Sequence, residues 1–217
     1  MLNHRVIIVG AGGFGQELAE YVCDCFNLEI DFPKEIILLD DFLDKEFKSE
    51  NWLFGGTLSD FKPEPTDKFL IGIGSPQERS KVSKHLSERN LELLTLIHPT
   101  AYVSKTSMIG RGSIIAPNCT IGYGSCIEEN VLINTYSAIG HHTKIGSHSV
   151  ISPKVLISGY AKLDEEVFVG AGAVITPSKQ IANGAVIGAG SVVYRNVKSQ
   201  KKVLGNPARN RLNWKNV

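Results

Sequence analysis

Two patterns divide this chain, and they predict a small α/β domain followed by a β-solenoid. Residues 1–97 alternate short apolar runs with stretches of helical spacing. Within residues 98–193 an aliphatic side chain returns at every sixth position. A basic stretch with Gly, Asn and Pro then runs to residue 217. The expected domains are accordingly 1–97 and 98–217.

The first pattern is read element by element. Arg5–Val9 is an apolar, β-branched run that ends at Gly10 and predicts a strand. Gln16–Phe26 has helical spacing, with Leu18, Tyr21, Val22 and Phe26 on one face. Glu35–Leu39 and Lys68–Ile73 predict two further strands. Ser75–Asn90 predicts a second helix with Val82 and Leu86 inward and Ser75-Pro76-Gln77-Glu78 as its start. Strands alternating with helices imply a short parallel sheet of Rossmann-like character. About 95 residues hold half of a doubly wound dinucleotide fold at most.

The second pattern runs from Val103 by steps of six to Val193, and each of its sixteen positions is Ile, Val or Leu. With these three types at roughly a fifth of average composition, chance does not produce such a series. The next residue is often small, as at Gly110, Gly122, Gly140, Gly146, Gly170 and Gly188. Two places before the aliphatic stands another small side chain, such as Ser125, Ser137, Ala161 or Ala173. A six-residue period marks a parallel β-helix of hexapeptide repeats. The aliphatic and the small residue two before it share the inward side of the pleat, and the small residue after it is expected to let the chain bend. Three units make a triangular coil, so residues eighteen apart stack. The expected prism has about five coils and no inserted loop.

Composition excludes several classes. Of 217 residues, 42% are hydrophobic and 21% charged, with net charge +1, so no basic or acidic field points to nucleic acid. The run Val6–Val9 is too short for a membrane span or secretory segment. Cys23, Cys25, Cys119 and Cys126 form no CxxC pair and no disulfide framework, which fits a reducing cytoplasm.

Chemistry must sit outside the apolar interior of the prism. His141 and His142 fall two and three places after Ile139, at turn positions whose side chains project outward. A neutral imidazole there can accept a proton; two solvated turn histidines are the plain alternative. A zinc site is not expected, because the pair is adjacent and no histidine lies between Thr100 and Gly140. Gly10-Ala11-Gly12-Gly13-Phe14-Gly15 follows a strand and opens a helix, so helix amides can approach a phosphate. Asp40-Asp41 ends the second strand and suits a hydroxyl or base edge of a nucleotide; the half-sized sheet favours a mononucleotide. Lys201-Lys202, Gly205-Asn206-Pro207-Ala208-Arg209 and Arg211 form a basic tail against which a phosphate-bearing ligand can lie.

Taken in order, these marks resemble the nucleotide-activated amino-sugar acetyltransferases, a family that includes sialic acid O-acetyltransferase-like proteins. They are Gly10–Gly15, Leu39-Asp40-Asp41, Ile71-Gly72-Ile73-Gly74 with Arg79, the lead-in Ile97-His98-Pro99, Ile133-Asn134-Thr135 before Gly140-His141, and Gly205-Asn206-Pro207-Ala208. The resemblance implies a left-handed β-helix, a homotrimer, and acetyl-CoA lying between neighbouring prisms, with no metal. It implies acetyl transfer to the amine, at C4, of a nucleotide-linked amino-deoxy sugar, in the cytoplasm. His141 matches the general base, with Asn134 and His142 beside it. Gly10, Gly12, Gly13, Phe14, Asp40, Asp41, Gly74 and Arg79 are the implied sugar-nucleotide residues. Gly159, Gly170, Ala171, Gly188, Asn206, Pro207 and Ala208 are the implied acetyl-CoA residues. Three positions depart from the pattern: His142 replaces an acidic residue that often follows the base, Val150 replaces a histidine nine places after it, and Phe14 replaces a histidine of the glycine loop. The alternatives are sugar O-acetylation of the sialic acid type, and a trimeric nucleotide-binding scaffold without turnover. A dehydrogenase is disfavoured by the size of the sheet.

Overall fold

The computed structural model describes residues 4–26, 33–43 and 51–210. The N-terminal part is a five-stranded parallel sheet. Its elements in chain order are β1 (Arg5–Val9), α1 (Gly13–Cys25), β2 (Glu35–Leu39), β3 (Leu53–Phe54), β4 (Lys68–Ile71), α2 (Pro76–Glu88) and β5 (Glu92–Leu93), and the spatial order is β3-β2-β1-β4-β5. Alternation along the strands sorts the side chains into two layers. Val6, Ile8, Leu38 and Leu70 pack with Leu18 and Val22 of α1. Ile7, Val9, Ile37, Leu39, Phe69 and Ile71 pack with Leu86 of α2. The sheet is therefore covered on both sides, as a parallel sheet requires.

The three predicted strands and both helices are present; β1 and β2 have the predicted bounds, while the ends of β4 and of the helices differ. The helix α1 starts at Gly13 rather than Gln16, so the last glycines of the loop already belong to its first turn. The strand β4 stops at Ile71, two residues short of the apolar run. Ser75 caps α2, its hydroxyl accepting from the Glu78 amide at 3.5 Å. The outer strands β3 and β5 are two residues long, too brief for an alternation pattern to mark them.

The solenoid begins at β6 (Leu96–Ile97), which pairs with Ile114–Ile115. Every later strand up to Val193 is two residues long and ends on one of the aliphatic positions of the six-residue series. Strands eighteen residues apart pair in parallel and build three faces of six, six and five strands; Lys202–Leu204, in parallel, and Arg209–Asn210, antiparallel, extend the first face to eight. The first face runs from β6, the second from Tyr102–Val103 and the third from Met108–Ile109. The last coil is tighter: Ile181 pairs with Val197 and Ile187 with Val203, two residues short of the eighteen-residue step.

The bend does not come from the residue after the aliphatic, as the sequence suggested. A Cβ at Gly122 would lie 2.8 Å from the His141 amide nitrogen, and one at Gly140 would lie 2.5 Å from that of Gly159. Small residues there allow close stacking of coils. The turn is made two places later, in left-handed backbone: Asn118, Asn130, Tyr136, His142, His148 and Tyr160 all have φ between +53° and +64°. Inside the corners, buried serines bridge adjacent coils. Ser125 donates to the Gly140 carbonyl (2.8 Å) and accepts from the Thr143 amide (3.4 Å), and Ser137 does the same with Ser152 and Val155.

Two buried polar contacts help to join the sheet to the prism. His98 is buried against Tyr21; its Nε2 meets Asp24 at 3.0 Å and its Nδ1 meets the Thr100 hydroxyl at 2.8 Å. The second contact is Arg79. Its guanidinium is fully buried and donates to the Ile71 carbonyl (2.6 Å), the Ile73 carbonyl (3.2 Å), and the Asn130 side-chain (2.6 Å) and main-chain (3.2 Å) oxygens. Asn130 lies at the corner between the third and first faces; its amide nitrogen returns a bond to the Arg79 carbonyl at 3.1 Å and lies 3.0 Å from Nδ1 of His148. Burial pushes the pKa of Arg79 down to about 9, which leaves it charged at neutral pH. The assignment of Arg79 to a sugar-nucleotide site is thereby corrected: its donors are taken up by the protein, because the β4–α2 connection aims it at the solenoid.

Arg79→Ala strands these acceptors and opens a cavity. At 1–3 kcal/mol per stranded buried group with partial relaxation, a loss of about 3 kcal/mol is expected. That corresponds to a fall of roughly 6–12 °C in Tm for a chain of this size. A melting curve checks this, and an unchanged Tm would remove Arg79 from the joint.

Candidate active site

The C-terminal ends of β1, β2 and β4 open into a cavity of about 600 Å³. Crevices at this edge of a parallel sheet are where such folds hold ligands. Gly10 has φ +105° and returns its amide to the Leu39 carbonyl at 2.7 Å; a Cβ there would meet the Gly72 carbonyl oxygen at 2.8 Å. A Cβ at Gly15 would sit 1.7 Å from the Gly10 carbonyl oxygen, so only glycine lets α1 approach the strand. Gly12 caps α1 and lines the cavity, and the space around a Cβ at Gly12 or Gly13 is open. The first amides of α1 are therefore accessible to an anion.

Asp40 and Asp41 both border this cavity. Asp40 accepts from the Ala11 amide (2.9 Å) and the Phe42 amide (2.9 Å), and Asp41 from the Leu58 amide (2.7 Å). Each carboxylate pins a loop around the cavity, so Asp40 shapes the glycine turn as well as facing the space. Phe14 packs into the hydrophobic core, and neither it, Gly13 nor Gly74 lines the cavity. Residues that sequence reasoning missed do line it: Phe42, Leu58, Ser59, Lys81 and His85. Glu78, Lys81, Val82 and His85 recur along α2 at helical spacing, a signal available once that helix is placed. Lys81 is paired with Glu78 at 2.7 Å. Among the described residues, all fourteen around the cavity belong to the N-terminal part and none to the solenoid.

The second cluster is at the corner between the second and third faces. Eighteen-residue stacking places Tyr123 and Gly159 on either side of His141, and Gly124 and Tyr160 on either side of His142. The His141 ring lies on the backbone of Gly159, where a Cβ would come within 2.8 Å of its Nε2. Its edge meets Tyr160, centroids 5.0 Å apart at 86°. Both histidines are exposed, and the two Nδ1 atoms are 3.2 Å apart. Asn134 is not brought to this cluster within one chain. It lies at the neighbouring corner, between the first and second faces, with its side-chain oxygen on the Thr135 amide at 2.7 Å.

The implied acetyl-CoA residues divide in the same way. Gly159 belongs to the corner of His141 and forms the floor under its ring. Gly170, Ala171 and Gly188 follow first-face strands, so they share the corner of Asn134. Asn206, Pro207 and Ala208 continue that corner beyond the last coil, where the Ala208 amide bonds the Val192 carbonyl at 2.8 Å. Together with Tyr194, Arg195 and Arg209 they line a cavity of about 790 Å³. Arg195 and Arg209 also border a second space of about 450 Å³ with Lys198 and Lys201. Arg211 lies outside the described residues.

Comparison with known proteins defines the class first. Residues 5–86 match the family model of the PglD N-terminal domain, and residues 127–159 match that of the bacterial transferase hexapeptide (six repeats). The N-terminal part is thus similar to the PglD N-terminal domain, and part of the solenoid to the hexapeptide repeats of bacterial transferases. Among individual proteins, it is 32% identical over 115 residues to the UDP-N-acetylbacillosamine N-acetyltransferase of Bacillus subtilis (strain 168), which covers 51% of this chain and 50% of that protein. It is 31% identical over 131 residues to the GDP-perosamine N-acetyltransferase of Escherichia coli O157:H7, covering 59% and 58% respectively. The match spans only about half the length of these curated relatives. The acetyltransferase domain of PglB from Neisseria gonorrhoeae FA1090, solved with acetyl coenzyme A, superposes with a TM-score of 0.86 at 27% identity, over 96% of this chain and 100% of that one.

The floor under His141 can be tested directly. Gly159→Ala is expected to fold with stability within about 1 kcal/mol of the parent, because the obstructing atoms belong to a side chain that can swing away. The His141 ring is expected to leave its position. A crystal structure of the variant reads this, and a ring that stays in place overturns the assignment.

Proposed function

We infer that this chain is an acetyl-CoA-dependent N-acetyltransferase that acts on the amine, at C4, of a nucleotide-linked amino-deoxy sugar. The observation that carries the reading is the pairing of a cavity at a glycine-rich strand-to-helix turn with an exposed, glycine-seated histidine on a hexapeptide-repeat prism. The N-acetyltransferase relatives support it, and the PglB domain held acetyl coenzyme A on the same architecture. All four cysteines are free, which supports a reducing cytoplasm, and among the described residues no helix is long and apolar enough to cross a membrane.

The residues divide the work. Gly12, which caps the N-terminus of α1, and Lys81 border the cavity and suit the diphosphate of the nucleotide. Asp41, with one oxygen not engaged by the Leu58 amide, suits a base or ribose donor. Acetyl-CoA supplies an activated thioester. The flat edge of Gly170, Ala171 and Gly188 suits its extended arm, and Arg195, Lys198, Lys201 and Arg209 suit its phosphates. His141 takes a proton from the amine nitrogen as that nitrogen forms its bond to the acetyl carbon. The C–S bond breaks, and the imidazolium returns the proton to the departing thiolate. Transfer is direct, with no acyl-enzyme.

Because no solenoid residue lines the cavity, and because His141 and the Gly170–Gly188 edge sit on different corners, a single chain does not assemble the site. The reading therefore includes a homotrimer, in which the His141 corner of one prism faces the Gly170 edge of its neighbour. Asn134, on that same edge, would then approach His141 from the adjacent subunit.

Thiol release from acetyl-CoA, measured against a panel of nucleotide amino sugars and their hydroxyl analogues, tests this. An amine acceptor is expected to turn over, and His141→Ala to lower kcat by roughly 10²–10⁴-fold. A preference for the hydroxyl analogue would redirect the reading to O-acetylation. Nucleotide binding without thiol release from any acceptor would leave only a scaffold.

A further inference from the structure

The His141 corner contains a second ring whose place is set more tightly than that of a solvated turn residue. His142 occupies the left-handed position of its turn, at φ +54°. It is stacked face to face on Tyr160, centroids 5.0 Å apart and planes 7° from parallel. Tyr123 meets it edge-on at 5.5 Å. Beneath it is Gly124, where a Cβ would come within 3.2 Å of the ring. These contacts aim Nδ1 of His142 at Nδ1 of His141, 3.2 Å away. Among the described residues, no carboxylate is bonded to either ring.

Two ring nitrogens at that separation share a hydrogen only when one is protonated and the other is bare. A base that takes its proton at Nε2 must begin with Nε2 bare and the hydrogen on Nδ1. The geometry points to His142 as the positioning residue for His141: it accepts the hydrogen bond from the Nδ1–H of His141 and so holds that ring in the tautomer and orientation of a base. This rests on the reading of His141 as the base. His142 is then neutral, with its own hydrogen on Nε2. When His141 becomes imidazolium, the Nδ1–H bond to His142 becomes charge-assisted and strengthens. A neutral imidazole thus does what a carboxylate does for the histidine of a catalytic triad. It also accounts for a histidine at the place where the family resemblance leads one to expect an acid.

Two substitutions separate acceptor from filler. His142→Phe keeps a ring to stack on Tyr160 and removes the acceptor. His142→Asn restores an acceptor oxygen in a residue that tolerates left-handed backbone. His142→Phe is expected to lower kcat about 10- to 100-fold, by analogy with the loss of a hydrogen-bond partner that orients a metal-bound histidine, with KM for both substrates unchanged. His142→Asn is expected to recover most of that loss. Nitrogen–proton correlation NMR of the histidine rings is expected to show His141 protonated on Nδ1 and His142 on Nε2. In His142→Phe, His141 should shift toward the Nε2–H form that free imidazole side chains favour. A parent spectrum with His141 in the Nε2–H form overturns the inference. So does undiminished kcat in His142→Phe, or an Asn variant no better than Phe. The spectrum requires no turnover. If His141→Ala retains activity, the base assignment fails, while the spectrum still decides whether His142 orients the ring.

Discussion

A strand of two residues cannot hold itself, so each coil of the prism depends on its eighteen-residue register with the coils beside it. Main-chain bonds set this register, and the corner serines reinforce it. The serine hydroxyl satisfies a carbonyl of one coil and an amide of the next, where an apolar side chain would leave both stranded. Slipping the register by one residue would turn the whole aliphatic column outward. That constraint is why the site has a defined geometry although every residue in it sits on a turn. His141 is aimed by the backbone of Gly159 below it, and His142 by Tyr160.

The same register explains the uses of small residues. A glycine directly after the aliphatic faces the backbone of the next coil at under 3 Å, so a side chain there would push the coils apart. At the third position the chain turns through left-handed backbone, and here the sequence carries Asn, Tyr, His, Lys and Ser as well as Gly. Non-glycine residues in that conformation carry some strain. Stacking offsets it at the His141 corner, where His142 and Tyr160, both left-handed, lie ring on ring. Two of these left-handed residues thus meet at one place, beside the candidate base.

Much of this was legible in the sequence. The six-residue aliphatic series located every solenoid strand from Val103 to Val193 but not β6, which the expected boundary left in the first domain, and the glycine loop located the cavity. The histidine pair could be placed at a corner from its distance to Ile139. What the sequence did not disclose depends on contacts between distant segments. Arg79 reads as a site residue because it follows a glycine-rich strand end, yet its direction is decided by Asn130, fifty-one residues later. Asp40 and Asp41 read as ligands, while their oxygens also tie down the Ala11, Phe42 and Leu58 amides. Asn134 is one repeat from His141 in sequence, and one repeat is one face of a triangle. Columns spaced by eighteen, rather than six, bring Tyr123, His141 and Gly159 together.

The joint at Arg79 bears on function through geometry rather than chemistry. The guanidinium bonds the carbonyls of Ile71 and Ile73, on either side of Gly72, and Gly72 and Ile73 line the cavity. Its other partner, Asn130, belongs to the rigid ladder of the prism. The floor of the cavity is thereby fixed to the frame that carries His141, without the two being in contact. A transfer reaction between a ligand held by the sheet and one held along the prism would need that fixed relation, because a misplacement of about 1 Å can cost roughly 10²-fold in rate. A buried cation held by neutral oxygens is a costly joint. Its side-chain bonds to both domains show what the cost maintains: a set orientation of the sheet's cavity on the solenoid.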